Sequence, residues 1–190
     1  MKSRITTPQT YIVYGLNSAK QVLKADRFEI IKIDIQKNSP AEKNPAILTL
    51  IEDTAIIPRS WNKEKFTREY KGYRTQGIAV SFKGPLTTPL PSFAPGKKNM
   101  GFLLGDHISD PQNLGQIIRT AECAGLDGLI LPERGGVQLT DAALQVSQGA
   151  FVTLPIYSCG NVQQTLQQLK EDGFWIVGVE NGIKEKVWYE

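Results

Sequence analysis

MGFLLGDHISDPQNLGQIIRTAECAGLDGLILP, residues 100–132, carries three signals in succession. The apolar run MGFLLG reads as a buried strand. NLGQIIRTAECAG has helical spacing, and GLILP reads as a second strand. Strand, helix and strand in so short a span make a βαβ unit, which implies a right-handed crossover and a parallel sheet. On a helix turning about 100° per residue, Leu114, Ile117, Ile118, Ala121 and Ala124 share one arc, the core face. Asn113, Gln116, Arg119, Thr120 and Cys123 lie on the other side. Asn113 is placed as the N-cap, Asp110 adds negative charge near the positive helix end, and Gly125 supplies the stop. Local physics thus has Asn113 capping and Arg119 pairing with Glu122 on the surface. Gly115 resists that account. A glycine in the first turn costs about 1 kcal/mol relative to alanine, and its use is to let another backbone or a ligand approach closely.

Working outward, the alternation continues. TDAALQVSQGA is expected as a helix, VTLPIY as a strand, NVQQTLQQLKEDG as a helix and FWIVGVE as a final strand. Apolar strands separated by helices imply a parallel sheet covered on both faces. Upstream, KGPLTTPLPSFAPGKK, residues 83–98, holds four of the eleven prolines and no helical or strand period, which marks a semi-rigid linker. Before it, LNSAKQVLKA, PAILTLIEDT and WNKEKFTREYK are helices, while FEIIKIDI, AIIPR and GIAVSF are strands. The chain is therefore expected to be α/β throughout: a small domain over 1–82, a linker over 83–98 and a parallel-sheet domain over 99–190.

Composition narrows the classes. The 190 residues are 41% hydrophobic and 22% charged, ordinary for a water-soluble globular protein. No apolar run reaches membrane-spanning length. The N-terminus has no apolar signal core, so a cytoplasmic location is expected, with an organelle as the alternative. With His107 alone, and Cys123 and Cys159 far apart, no metal site is expected. Residues 1–82 carry 14 Lys/Arg against 8 Asp/Glu, and the remainder 8 against 11. A basic first half suits a polyanionic partner, or a merely solvated surface. Arg59, Lys63, Lys65, Arg68, Lys71 and Arg74 cluster around one polar helix, with Trp61, Tyr70 and Tyr73 among them. Basic groups interleaved with aromatics suit phosphate contact and base stacking. The alternative is a solvated helix with its aromatics in the core.

DPQNLGQIIRTAECAG resembles the first signature motif of the SpoU (TrmH-like) branch of the SPOUT RNA methyltransferases, Asn-x-Gly-x-x-x-Arg-Thr-Ala, at Asn113, Gly115, Arg119, Thr120 and Ala121. GFLLGDHISDPQNLG is similar to the first strand and loop of that family's catalytic domain. The stretch 125–157, including Val-Ser-x-Gly-Ala at 146–150, resembles the second unit, and LQQLKEDGFWIVGVE the third. YIVYGLNSAKQVLKA and TQGIAVSF resemble the two ends of a small N-terminal RNA-binding domain. Gln112 stands where relatives often carry His, and Thr75-Gln76-Gly77 where many have His-Gln-Gly. The second and third family motifs, Gly-x-Glu-x-x-Gly and Ser-Leu-Asn-Val-Ser, which build the trefoil knot and the cofactor pocket, have no counterpart in the 190 residues. On the resemblance, the chain is expected to lack the knotted half of the domain.

The resemblance implies methyl transfer from S-adenosylmethionine to a ribose 2′-hydroxyl of tRNA or rRNA, by a protein that dimerises when complete. It assigns Arg119 to hold the nucleotide and the alkoxide-like transition state, and Asn113 to fix the loop at the active centre. The cofactor-binding residues stay unassigned, since the family positions fall beyond Glu190. Ser147, Glu180 and His107 read as structural, exposed-loop and surface residues respectively. The competing function is an RNA-binding or assembly module of the same fold without methyl transfer. A Rossmann nucleotide-binding domain is disfavoured, since no Gly-x-Gly-x-x-Gly follows the first strand.

Overall fold

The computed structural model describes residues 9–93 and 100–179. The first sheet collects β1 (Tyr11–Tyr14), β2 (Glu29–Gln36), β3 (Arg59–Trp61) and β4 (Ile78–Lys83) in the order β1-β4-β2-β3. β4 is central, buried along Ile78–Phe82, and runs antiparallel to β1 and β2, while β3 joins β2 in parallel. Three helices connect these strands: α1 (Leu16–Lys24), α2 (Pro45–Glu52) and α3 (Lys63–Glu69). Asn44 caps α2, its Oδ1 accepting the Ile47 N–H at 3.2 Å, with Pro45 in the first helical position. Asn62 caps α3 in the same way through the Lys65 N–H at 2.9 Å. AIIPR was expected as a strand, and it is not one. Pro58 has no N–H for a ladder, so pairing with β2 starts one residue later, at Arg59↔Asp34, and Ile57 is left 88% exposed.

The second sheet is wholly parallel, in the order β5-β8-β7-β6: β5 (Thr88–Pro89), β6 (Phe102–Leu104), β7 (Gly128–Pro132) and β8 (Ile156–Cys159). Its helices are α4 (Pro111–Cys123), α5 (Asp141–Val146), α6 (Ala150–Thr153) and α7 (Val162–Glu171). Both faces are covered, as a parallel sheet requires. Leu129 packs on the side of Leu114 and Ile118 of α4, and the next residue, Ile130, packs with Leu169 of α7. Full burial of each such side chain stabilises the fold by about 1.5–3 kcal/mol.

Four expectations need correction. The proline-rich segment is not featureless: Thr88 and Pro89 form β5 against Tyr157 and Ser158, an edge position that tolerates proline. TDAALQVSQGA is two helices, broken where Gln148 and Gly149 take φ of 56° and 96°. Val152 and Thr153 therefore belong to α6, and β8 begins only after Pro155. FWIVGVE forms no strand over its described residues, 174–179. The Phe174 ring packs on Phe93 and Phe102, at centroid distances of 5.4 and 5.6 Å. Beyond it Trp175, Val177 and Val179 are 95%, 82% and 83% exposed. Strand propensity expresses itself only against a ladder partner and a covering layer, and the described residues supply neither there. Glu180 lies outside the described residues.

The two sheets share one core. Phe28, Phe82 and Phe151 meet at centroid distances of 4.7, 6.1 and 6.3 Å within a cluster that runs from Val13 to Ile156. Side chains of α5 satisfy amides of the edge strand β1. Asp141 Oδ1 accepts the Ile12 N–H, and Gln145 Oε1 accepts the Tyr14 N–H, both at 3.1 Å. Arg27 donates to the Phe151 and Val152 carbonyls at 3.3 and 2.9 Å. Among the described residues no helix is long and apolar enough to cross a membrane.

Candidate active site

α4 begins three residues earlier than the sequence suggests. Its N-cap is Asp110, whose Oδ1 accepts the Gln112 N–H at 2.8 Å, with Pro111 in the first helical position. Asn113, placed as the cap from sequence, is inside the first turn, exposed and without a side-chain hydrogen bond among the described residues. An Asp-Pro pair outcompetes it, because proline lacks the N–H that this turn would orphan and is preset for helical φ. The C-terminus is as expected: Gly125 turns left-handed at φ 72°, and the Leu126 N–H returns to the Ala121 carbonyl at 3.1 Å.

Gly115 is a packing residue. A Cβ there would lie 2.6 Å from the Ala143 carbonyl oxygen and 2.6 Å from Val146 Cβ, so α5 crosses directly over it. The close approach is by backbone. Ser147 is fully buried and donates to the Leu144 carbonyl at 2.8 Å, a structural role. His107 is an exposed loop residue, paired with Asp106 at 2.7 Å.

Arg119 faces outward and makes no ion pair or side-chain hydrogen bond among the described residues. The surface pair with Glu122 does not form; Glu122 instead accepts a hydrogen bond from Thr153 Oγ1 at 3.2 Å. Arg119 opens into a cavity of about 250 Å³ bounded by α4, by the turn at Gln148 and Gly149, and by Asn17, Lys20 and Gln21 of α1. Gly149 makes that boundary possible, since a Cβ on it would meet Gln21 Cγ at 3.0 Å and Ser18 Cα at 3.3 Å. Lys20 and Arg119 thus converge on one space, with Glu122 the sole carboxylate in its lining. Asn113 is not in that lining: six residues apart, the two side chains leave the helix about 120° apart.

The six basic residues singled out in the first half are all exposed. Arg59 is the most constrained. Its guanidinium donates to Asp34 at 2.7 and 3.2 Å and stacks over Trp61 at 5.0 Å. Asp34 is fully buried and also receives the Trp61 Nε1–H at 3.0 Å, Lys32 at 2.9 Å and the Tyr70 hydroxyl. Burial alone would raise its carboxyl; the bonds from Arg59, Tyr70, Trp61 and Lys32 outweigh that and hold it well below the usual carboxylate range. Burial and the bond to Asp34 push the Tyr70 phenol up. Tyr70 is therefore a core residue, unavailable for stacking, as is Trp61 in part. Tyr73, 54% exposed and stacked on Tyr14 at 4.4 Å, is the available ring. Sequence reasoning missed the Asp34 hub and Lys20. An acid between the isoleucines of one strand was the only signal for the first, and nothing local marked the second.

The Arg119 cavity does not fit S-adenosylmethionine. The Arg119 cavity is donor-rich, carries two cations that would oppose a sulfonium, and has no apolar slot for adenine. A second cavity, of about 450 Å³, lies at the C-terminal ends of β7 and β8 and has apolar walls in Leu86, Leu131, Val137 and Leu139. The long polar side chains of its lining, Gln9, Glu133 and Gln138, are exposed, and no buried polar side chain is aimed into it. Among the described residues no three His, Cys, Asp or Glu side chains gather as metal ligands would.

Residues 101–190 match the SpoU rRNA methylase family. The chain is 27% identical to a 23S rRNA (guanosine-2′-O-)-methyltransferase of Photobacterium profundum, over 94% of this chain and 74% of that protein. It is 31% identical to a TrmH family tRNA/rRNA methyltransferase of Staphylococcus saprophyticus, over 89% and 69%. In fold it is similar to an rRNA methyltransferase from Sinorhizobium meliloti solved with its methyl donor bound, with a TM-score of 0.66, 19% identity and 86% of this chain covered. The chain spans 59% of that solved chain. With the parallel sheet, the Asn-x-Gly-x-x-x-Arg helix and these relatives together, the chain belongs to the SpoU/TrmH family of tRNA/rRNA methyltransferases, enzymes that methylate RNA with S-adenosylmethionine as donor.

Proposed function

We propose that this chain serves 2′-O-methylation of tRNA or rRNA and that its described residues form the acceptor side of the reaction. The observation that carries this reading is Arg119: exposed, without an ion pair or side-chain hydrogen bond among the described residues, and sharing a polar cavity with Lys20. A guanidinium left without a carboxylate partner is free to grip a phosphate or ribose oxygen in a bidentate way. A ribose hydroxyl is a poor nucleophile, so an acceptor site would have to hold it in place and favour its alkoxide-like form. Arg119 cannot take the hydroxyl proton at neutral pH. Its part is to hold the hydroxyl or its flanking phosphate and to stabilise the developing negative charge. S-adenosylmethionine, the donor of the family, would supply the methyl group when bound. Asn113, on the exposed first turn of α4, is assigned to orient the neighbouring loop. Arg59, Lys63, Lys65, Arg68, Lys71 and Arg74 are assigned to RNA phosphates. We place the activity in the cytoplasm and in a homodimer, as the resemblance to the SpoU/TrmH family implies.

Arg119→Ala tests the assignment. Methyl transfer to bulk tRNA or rRNA, assayed in a protein competent for turnover, should fall at least about 100-fold. Thermal stability should stay within about 0.5 kcal/mol, because an exposed side chain without partners leaves no cavity. Near-normal turnover would place Arg119 outside the chemistry and favour the module without methyl transfer.

A further inference from the structure

The Arg119 cavity does not end at α1. A second polar cavity, of about 210 Å³, shares Asn17 and Gln148 with it and continues along the seam between the two sheets past Gln145, Gln76 and Arg74. The two together make one trough. Four non-glycine residues among those described have positive φ, and two of them, Gln76 at 50° and Gln148 at 56°, stand on its walls. Glutamine seldom adopts that backbone, and such conformations gather where side chains are aimed at a ligand.

Two amides of the trough are held by backbone. Gln76 Oε1 accepts the Leu16 N–H at 3.0 Å, and Gln145 Oε1 accepts the Tyr14 N–H at 3.1 Å. With each oxygen fixed to backbone, the amide nitrogen of each is left as a donor without a partner among the described residues. Lys20, Arg74 and Arg119 add only donors. Against them stands one carboxylate, Glu122, which is already engaged by Thr153. A donor-rich trough fits an acceptor-rich occupant. Beside Arg74, Tyr73 lies stacked on Tyr14 with half its surface exposed, a platform for a flat ring.

We propose that this seam trough seats an unpaired stretch of RNA, its bases met by the Gln76, Gln145 and Gln148 amides and its phosphates by Arg74, Lys20 and Arg119; this rests on the RNA-methylation reading above. Amides reach base edges only where the strand is unpaired, since an A-form duplex hides them in a deep groove. Neither half of the chain carries the complete set of donors.

The test uses the full 190-residue chain and fluorescence anisotropy with a labelled single-stranded oligoribonucleotide and a duplex of the same sequence. Gln148→Gly is the informative variant, because glycine relieves the left-handed backbone and so removes the amide without endangering the fold. Affinity for the single strand should fall about fivefold, the share of one lost hydrogen bond, and by tenfold or more when Arg74→Ala is added. Duplex affinity of Gln148→Gly alone should stay within twofold. Single-strand affinities within twofold of the parent, an equal loss for duplex, or displacement of the RNA by oligoglutamate of matched charge would each overturn the trough. If the variants bind RNA as the parent does, the RNA reading stands and the trough alone fails. A parent chain that binds no RNA removes both.

Discussion

One methyl group at Gly115 would be placed 2.6 Å from both a carbonyl oxygen and a Cβ of α5. Alanine is favoured over glycine in a helix by about 1 kcal/mol, so an isolated α4 would gain from Gly115→Ala. In the folded chain the neighbour is backbone, which cannot swing aside, and overpacking of this kind costs about 1–3 kcal/mol. Denaturant unfolding of Gly115→Ala should therefore show a net loss of stability of up to about 2 kcal/mol; a gain would mean that α5 can retreat. The sequence made this residue conspicuous, because a glycine in the first turn of a periodic helix has no local purpose. It left open whether backbone or ligand came close, because the answer is held by Ala143 and Val146, distant in the chain. Arg119 was legible in a similar way, and its local partner was not: Glu122 is one turn away, yet turns to Thr153. Asn113 was misread as the cap because Asp110 and Pro111 act as a pair, and single-residue preferences do not weigh pairs.

Asp34 joins elements rather than residues, since its five donor bonds bind β2 to β3 and to the Tyr70 turn that ends α3. Unfolded, its carboxyl titrates near 4; folded, it remains ionised to lower pH. A depressed folded value adds stability that is fully present above the unfolded value and is lost as pH falls through the folded one. The parent chain should thus lose urea resistance as the pH is lowered from about 4, with part of that slope missing in Asp34→Asn. At pH 7 the variant should be less stable by about 3 kcal/mol, the range for breaking a buried ion pair. A parent and variant that run parallel below pH 5 would assign the acid sensitivity to other carboxylates. This hub holds Arg59 out of the free solvated state imagined from sequence, at the edge of the basic surface. The elements whose limits were misjudged share a cause. β3 waits for the residue after Pro58, α5 and α6 part at two left-handed residues, and 174–179 has the strand composition without a strand beside it. Periodicity reports what a segment would bury, and pairing is decided by segments elsewhere in the chain.

At the scale of the molecule, the division into two domains and a linker underestimates how closely the halves are joined. Phe82 of the first sheet stacks on Phe151 of α6 at 6.1 Å, Phe28 completes the group, and Leu86 and β5 turn part of the proline-rich segment into structure. A core cluster continuous across both sheets favours all-or-none unfolding over two independent transitions. Phe151→Ala probes this, because the residue is 1% exposed and belongs to the second sheet's helices, while Trp61 sits in the hub of the first. The substitution should cost about 3–5 kcal/mol. If the halves are coupled, Trp61 emission, isolated by replacing Trp175 and Trp188 with phenylalanine, should shift its midpoint together with far-ultraviolet circular dichroism. A Trp61 midpoint that stays in place while the dichroism moves would mean that the halves unfold separately. The seam, and the trough along it, would then open without loss of either fold, and RNA affinity would fall with temperature before either sheet melts. Coincident transitions instead make the seam as durable as the core beneath it, which is the condition for Lys20 and Arg119, from opposite halves of the chain, to act on one nucleotide.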